Sequence, residues 1–318
     1  MCDKFSKLFD DAPQIPYSTV LSVFKSEFGR PPTGPDGVFE IFEEEAAASA
    51  SIAQVHTAKL KGGGWVAVKV QKPDVGKQVE WDLGAYRICM WMFERRVFDL
   101  PVYFVVDFVS DHPRAELDFV QEASNAAKMT ELVAAEPRPA GRVRIPLAYP
   151  ELSTKKVMTA EWIEGVSLSD RPAIRRLMGE ATKEGKIQAS IDQGRKVEGV
   201  KLKGDVKAVM QTMVELFSAQ MFSFGCVHCD PHPGNIIIRP NPAHPTQPQL
   251  VLLDHGLYVY LTPTFKRQYA ELWKGLISTN FGTVECVARE WGIGTPDLFA
   301  MTDTDEMPKE FIFLGRIM

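Results

Sequence analysis

The stretch Cys226–Ile238, "CVHCDPHPGNIII", sets two cysteines, two histidines, an aspartate, a Pro-Gly pair and an asparagine within thirteen residues. Three chemistries fit that inventory: a metal knuckle, a redox dithiol, or the phosphate-handling loop of a nucleotide enzyme. Cys226-x-x-Cys229 has zinc-knuckle spacing, but a closed zinc site takes four ligands, normally completed by a second CxxC or HxxxH pair. Cys89 and Cys286 stand alone, and His228 and His232 share one tight turn with Pro231 and Pro233. A redox CxxC normally opens a helix, whereas here Asp-Pro follows. The phosphate reading accounts for more of the residues. Asp230 and Asn235 lie five positions apart, the spacing of the Asp and Asn in a kinase catalytic loop, "HRDxxxxN". There the Asp orients or deprotonates the acceptor hydroxyl, and the Asn amide oxygen binds a magnesium ion.

Outward from this loop, the pattern continues. Nineteen residues after Asn235, the apolar run "LVLLD" ends in Asp254-His255-Gly256. A carboxylate at that point fits the second magnesium ligand, the one that bridges the phosphates. Two short strands, "NIII" and "LVLLD", would present Asn235 and Asp254 side by side. Upstream, Lys69 sits mid-strand in "VAVKVQ", which matches the lysine that holds the α- and β-phosphates. Such a lysine needs a glutamate from a helix to pin it, and "ELDFVQEASN" offers Glu116, Asp118 and Glu122. Glu122 follows Asp118 by one helical turn, so both can face inward. Taken singly, each of these residues has an ordinary explanation as a turn residue or a solvated charge. Their joint spacing is what carries the reading.

Length and composition set the frame. The 318 residues are 45% hydrophobic and 24% charged, ordinary globular values for one large domain or two lobes. A net charge of −5 and a pI near 5.8 give no electrostatic reason to expect nucleic acid as a partner. Five scattered cysteines lack the density of a disulfide framework and point to a reducing compartment. No stretch reaches the ~20 apolar residues of a membrane span; the richest, "LPVYFVVDFV", is interrupted by Asp107. The opening "MCDKFSKLFDDAP" has neither an apolar signal core nor the Arg-rich character of a transit peptide. Both this start and the apolar end "FIFLGRIM" read as truncated, and a cytosolic protein is the other reading.

Periodicity gives the organisation. "STVLSVFKSEFG" puts Val20, Leu21, Phe24 and Phe28 on one helical face and stops at Gly29. From Val38 to Pro73 the chain reads strand, loop, strand, turn, strand, with Val66, Val68 and Val70 alternating with Ala67, Lys69 and Gln71. Gly62, Gly63 and Gly64 supply the turn. Residues 74–98 and 114–134 read as helices, and "RVRIPLAYPELSTKKVMTAEWIEG" as two strands split by a turn. Val209, Met210, Met213, Phe217 and Met221 recur at helical spacing, and helices resume after Tyr260. Residues 183–204 carry six Lys/Arg against three acids and read as a solvated insertion.

Four motifs, in order from residue 46 to 256, resemble the UbiB-like atypical kinases, also called the ABC-one or aarF-domain family. "AAASASIAQVH" is similar to that family's Ala-rich nucleotide loop and "VAVKVQKP" to its lysine strand. "ELDFVQEASN" resembles its ExD-plus-Glu helix, and "HCDPHPGN" with "LLDHG" its catalytic and metal loops. Asp-His-Gly in place of Asp-Phe-Gly resembles the branch that carries "DHGLY", here Asp254 to Tyr258. The resemblance implies an α+β, bilobal protein-kinase-like fold, a β-rich N-lobe and a mostly helical C-lobe with the nucleotide site between them. By position the lobes would be residues 39–165 and 166–318, after an N-terminal extension at 1–38 and with an insertion at about 180–204.

The resemblance further implies ATP or ADP bound with Mg2+. Lys69 would pair with Glu122, Asp230 would be the catalytic aspartate, and Asn235 and Asp254 would hold the metal. Ala48, Ser49, Ala50 and Ser51 would cover the phosphates. Alanine in place of glycine narrows the loop's backbone freedom, a way to alter nucleotide preference and suppress peptide phosphorylation. Glu116 and Asp118 would be regulatory, facing the lysine of an N-terminal "KxGQ" motif. That motif is absent: residues 1–12 resemble the segment that follows it, which points to a truncated gene model, and a missing upstream region would also account for the absence of a mitochondrial presequence. The family implies a mitochondrial setting, with membrane lipid or quinone-pathway proteins as partners. Two other readings compete with an ATPase or small-molecule kinase: a nucleotide-binding pseudokinase scaffold, and an aminoglycoside- or choline-type phosphotransferase.

Overall fold

A computed structural model describes residues 12–98, 104–178, 202 and 206–291. Most of the basic insertion at 180–204, the first eleven residues and the C-terminal run from 292 lie outside the described residues. In chain order the first half contains α1 (Tyr17–Phe28), β1 (Ile41–Phe42), β2 (Ala48–Ser49), β3 (Ala53–Lys59), β4 (Trp65–Gln71), α2 (Val75–Met92), α3 (Phe104–Ala115) and α4 (Phe119–Ala135). There follow β5 (Val143–Arg144), β6 (Val157–Glu161), β7 (Val166–Ser167), α5 (Arg171–Leu177), α6 (Val206–Ala219) and β8 (Cys226–His228). The last elements are β9 (Ile236–Pro240), β10 (Pro248–Leu252), β11 (Tyr258–Tyr260), α7 (Pro263–Ile277) and α8 (Phe281–Glu290).

These elements form two compact units whose segments interleave along the chain. The first draws on residues 1–78, 114–216 and 231–256. Its larger sheet has the order β1-β3-β4-β6, with β2 hairpinned onto β3, and every pairing is antiparallel. The hairpin between β3 and β4 turns through Gly63 and Gly64, whose φ angles of 88° and 92° suit residues without a Cβ. The alternation expected for residues 66–70 is present: Val66, Val68 and Val70 are wholly buried on one face.

Helix α1 covers that face. Val20, Val23 and Phe24 pack with Val38, Phe39, Phe42, Ala58 and Val157. Leu21, expected inward, is 37% exposed, because the stripe that meets the sheet runs through 20, 23 and 24. The helix stops where expected, at Gly29 with φ 69°. Phe24 is the hub of an aromatic cluster, edge-on to Phe39 at 6.2 Å and to Phe42 at 5.4 Å. Phe24→Ala is therefore expected to destabilise the protein by about 3–5 kcal/mol, read as a lower urea midpoint. A loss below about 1 kcal/mol would mean that α1 is peripheral to this core.

The second sheet of the first unit has the order β5-β10-β9-β7. Strands β9 and β10 form an antiparallel hairpin with Ile236 opposite Leu252 and Ile238 opposite Leu250, and β5 joins β10 in parallel. So the two predicted apolar strands do pair, and their continuous burial suits a sheet covered on both sides.

The second unit draws on residues 79–113, 217–230 and 257–318. The ribbon β8–β11 pairs Cys226 with Tyr260 and His228 with Tyr258. Helices α7 and α8 pack Phe265, Tyr269, Val287 and Trp291 against Val227. Trp291 is 1% exposed and satisfies its one donor by bonding Gln268 Oε1 at 2.9 Å. The sequence reading missed β8, β11 and α3, since three-residue strands and a helix containing Pro113 leave little periodic signal.

Candidate functional site

Lys69 sits in the middle of β4, opposite Val55 on one side and Met158 on the other. It belongs to the strand face away from Val68 and Val70, so its stem leaves the valine core. Its Nζ donates to both oxygens of Glu122, at 2.7 and 2.9 Å, and to Asp254 Oδ2 at 3.0 Å. The Phe119 ring centroid lies 5.0 Å from the same ammonium, within reach for a cation–π contact. The Glu122 side chain is 2% exposed, that of Lys69 19% and that of Asp254 31%, so the cluster grades from a buried pair to an open carboxylate.

Burial alone would lower the Lys69 pKa, but the Asp254 and Glu122 carboxylates outweigh it and hold the ammonium above the usual lysine range. Burial pushes the Glu122 carboxyl the other way, upward; Lys69 and a hydrogen bond from the His255 backbone oppose that push. One cation thus faces two carboxylates. Asp254 is the more exposed of the two.

Helix α4 supplies Glu122 and begins at Phe119, later than periodicity suggested, because Asp118 caps it. Asp118 Oδ1 accepts the Val120 and Gln121 N–H groups at 3.1 and 3.3 Å, the arrangement expected of an N-cap aspartate. Glu116 runs alongside Gly256: a Cβ built on that glycine would lie 3.3 Å from Asp254 Oδ1 and 3.6 Å from Glu116 Cγ. The glycine lets the loop approach this closely, and its N–H donates to Asp254 Oδ1 at 2.9 Å.

The β9–β10 hairpin brings the Asn235 backbone to the Asp254 loop, since Leu253 N–H donates to the Asn235 carbonyl at 2.8 Å. His232 Nδ1 accepts the Gly234 N–H at 3.1 Å and tightens the turn before Asn235. A carboxylate and an amide oxygen are the hard donors a divalent cation such as Mg2+ prefers, so the donor chemistry of Asp254 and Asn235 fits that ion. Asp230 ends a segment of the second unit. There it is exposed, and its N–H donates to Nδ1 of the fully buried His228 at 3.1 Å. Cys229 donates its thiol to the Val227 carbonyl at 3.1 Å, and burial pushes its pKa up. That is a packed, protonated thiol, unlike the thiolate that redox or zinc chemistry requires.

The Ala-rich segment forms a hairpin. Ala48 and Ser49 pair with Val55 and Gln54, and Ala50 N–H closes the turn on Ala53 O at 2.9 Å. Residues 12–15 lie along it: Ala12 N–H donates to Ser49 O, and Lys72 Nζ bonds both Pro13 O and Ala50 O. Below the hairpin, buried His56 accepts from Gln54 Nε2 at 2.8 Å and bonds Glu43 O through Nδ1 at 2.8 Å. Burial lowers its pKa, in keeping with a neutral ring. Ser51 is exposed at the tip.

Sequence reasoning passed over three neighbours of the cluster: Phe119 beneath Lys69, Gln71, which donates to Leu117 O at 2.9 Å, and Asn125. Asn125 was findable, because it falls three residues after Glu122 and so shares its helical face.

The profile of the ABC1 atypical kinase-like domain matches residues 7–288. The chain is 43% identical over 306 residues to "ABC1 family protein lscO" of Purpureocillium lilacinum, covering 93% of this chain and 50% of that protein. It is 34% identical over 289 residues to "AarF domain-containing protein kinase 1" of Xenopus laevis, covering 91% and 49%. Among solved structures, that of Rv3197 from Mycobacterium tuberculosis, in complex with erythromycin, superposes with a TM-score of 0.63 at 23% identity, over 95% of this chain and 66% of the other. Together with the domain match, that likeness shows an α+β kinase-like fold. The chain spans about half the length of the curated relatives it matches. On the extent of the domain match and these identities, it belongs to the ABC1 atypical kinase-like family.

Proposed function

We propose that this protein binds ATP or ADP with Mg2+ and acts as an ATPase or small-molecule kinase. The observation that carries the reading is the single ammonium of Lys69 shared between buried Glu122 and the open carboxylate of Asp254. A lysine pinned by a helix glutamate is the group that meets α- and β-phosphates in kinase-like enzymes, and an aspartate at a strand end is their metal ligand. In this reading Lys69 and Glu122 orient the phosphates, and the hairpin of Ala48, Ser49, Ala50 and Ser51 covers them. Asn235 and Asp254 would hold the metal, which would supply positive charge beside the phosphates. Asp230 receives the acceptor's proton. Glu116, which runs alongside Gly256, and Asp118, which caps the helix that carries Glu122, are the regulatory acids.

The setting proposed for this activity is mitochondrial coenzyme Q or lipid homeostasis, with a membrane lipid or quinone-pathway protein as partner, a reading that rests on the resemblance of the four motifs to UbiB-like kinases. No helix among the described residues is long and apolar enough to cross a membrane. Turnover of ATP by purified protein, with and without liposomes carrying quinone-like lipids, tests this. Magnesium-dependent hydrolysis that rises with such liposomes is the expected result. Nucleotide binding with turnover indifferent to Asp230→Asn would instead favour a pseudokinase scaffold.

A further inference from the structure

Helix α4 holds both backbone polar groups of one residue in the Asp-His-Gly loop. The His255 N–H bonds the Glu122 carboxylate, and the His255 carbonyl accepts Asn125 Nδ2 at 3.0 Å. Glu122 and Asn125 are i and i+3, one above the other on the buried face, at 2% and 6% exposure. Asn125 is itself fixed, because its Oδ1 accepts Gln121 Nε2 at 3.0 Å from the preceding turn. The His255 side chain, 1% exposed, anchors the same loop from the other end by donating Nε2–H to Leu252 O at 3.1 Å. Asp254 lies between these anchors, with Gly256 N–H on Oδ1 and Lys69 on Oδ2.

We infer that Asn125 is a positioning residue for Asp254: by holding the His255 carbonyl it fixes the carboxylate at the place where the metal binds. The inference rests on the nucleotide-magnesium reading of the site. An amide has a geometric advantage here that a carboxylate lacks. Asn125 both donates to the His255 carbonyl and accepts from Gln121, whereas an aspartate would bring a second negative charge beside Glu122 and lose the donor. Without the bond, the Asp254 loop keeps the Gly256 turn and the His255 N–H bond to Glu122 but loses its second tie to α4, and part of the metal's binding free energy is spent ordering it.

The test compares wild type with Asn125→Ala and Asn125→Gln, recording the ATP-induced shift in melting temperature across a Mg2+ titration and also in EDTA. For Asn125→Ala, the Mg2+ concentration giving half the maximal shift should rise about tenfold, the equivalent of one lost buried hydrogen bond. The small shift given by ATP in EDTA should stay within about twofold, and Asn125→Gln, which retains the amide, should recover part of the loss. A lower melting temperature with an unchanged Mg2+ midpoint would assign Asn125 a purely structural role and overturn the inference. Failure of the wild type itself to respond to ATP with Mg2+ would refute the nucleotide reading instead, so the two failures are distinct.

Discussion

Asp254→Asn is expected to lower magnesium-dependent ATP turnover by roughly a thousandfold, since a metal ligand's charge is worth several kcal/mol in the transition state. Asparagine has the shape of aspartate, and its Oδ1 can still accept the Gly256 N–H that now bonds Asp254. What it loses is the negative charge that faces Lys69 at 3.0 Å and, in the proposed function, the cation. The fold should survive. Asp254 is 31% exposed, and its charge pushes the buried Glu122 carboxyl upward, so neutralising it removes a repulsion as well as an attraction. A stability change under about 1 kcal/mol is therefore expected. A folded Asp254→Asn protein that retains turnover within a few-fold of wild type would remove Asp254 from the machinery.

Lys69→Met has a different signature, because it strips the only cation bonded to Glu122 among the described residues. Breaking a wholly buried pair costs about 3–5 kcal/mol; with Lys69 partly exposed, about 2–4 kcal/mol is expected here, together with loss of nucleotide binding. The effect depends on pH. Lys69's own pKa is raised, so its contribution is present below the ordinary lysine value of about 10.4 and is lost only above it. Burial and Asp254 already hold the Glu122 carboxyl above its ordinary value in the wild type against Lys69; in the variant only the His255 backbone opposes them, and the carboxyl rises further. A folded-state carboxyl raised above its unfolded value favours folding below the unfolded pKa of about 4.3, and that stability is lost as pH rises through the folded value. The stability gap between wild type and Lys69→Met should therefore widen from pH 5 to pH 8, and Lys69→Met/Glu122→Gln should close much of it. Urea denaturation at several pH values measures this, and a gap that is flat across the range would show that Glu122 is not held charged by Lys69.

Much of the site was legible in the sequence, because its spacings are set by local geometry. Lys69 lies at the centre of a strand whose valines alternate visibly, and Glu122 lies at a fixed helical offset from a capping aspartate. The strand "NIII" pairs with "LVLLD" as read, which puts Asn235 beside Leu253. What could not be read depends on contacts distant in sequence. Asn125 reaches His255 across 130 residues, and Lys72 reaches Ala50 and Pro13 across 22 and 59. Leu21 misled because a 100° helical stripe admits two neighbouring faces, and the sheet beneath selects one. The cysteines were legible: the CxxC reads as neither a zinc nor a redox site, and the structure agrees. A CxxC spacing arises here from a three-residue strand running into a turn, and burial keeps Cys229 protonated.

In the proposed function the Lys69–Glu122–Asp254 cluster is a receptor for a magnesium nucleotide. Isothermal titration of the purified chain with ATP, in Mg2+ and in EDTA, tests it most directly. Saturable binding in Mg2+ is expected, weakening at least about tenfold in EDTA and disappearing in Lys69→Met. No heat of binding for the folded wild type in Mg2+, or binding unaffected by Lys69→Met, would contradict it.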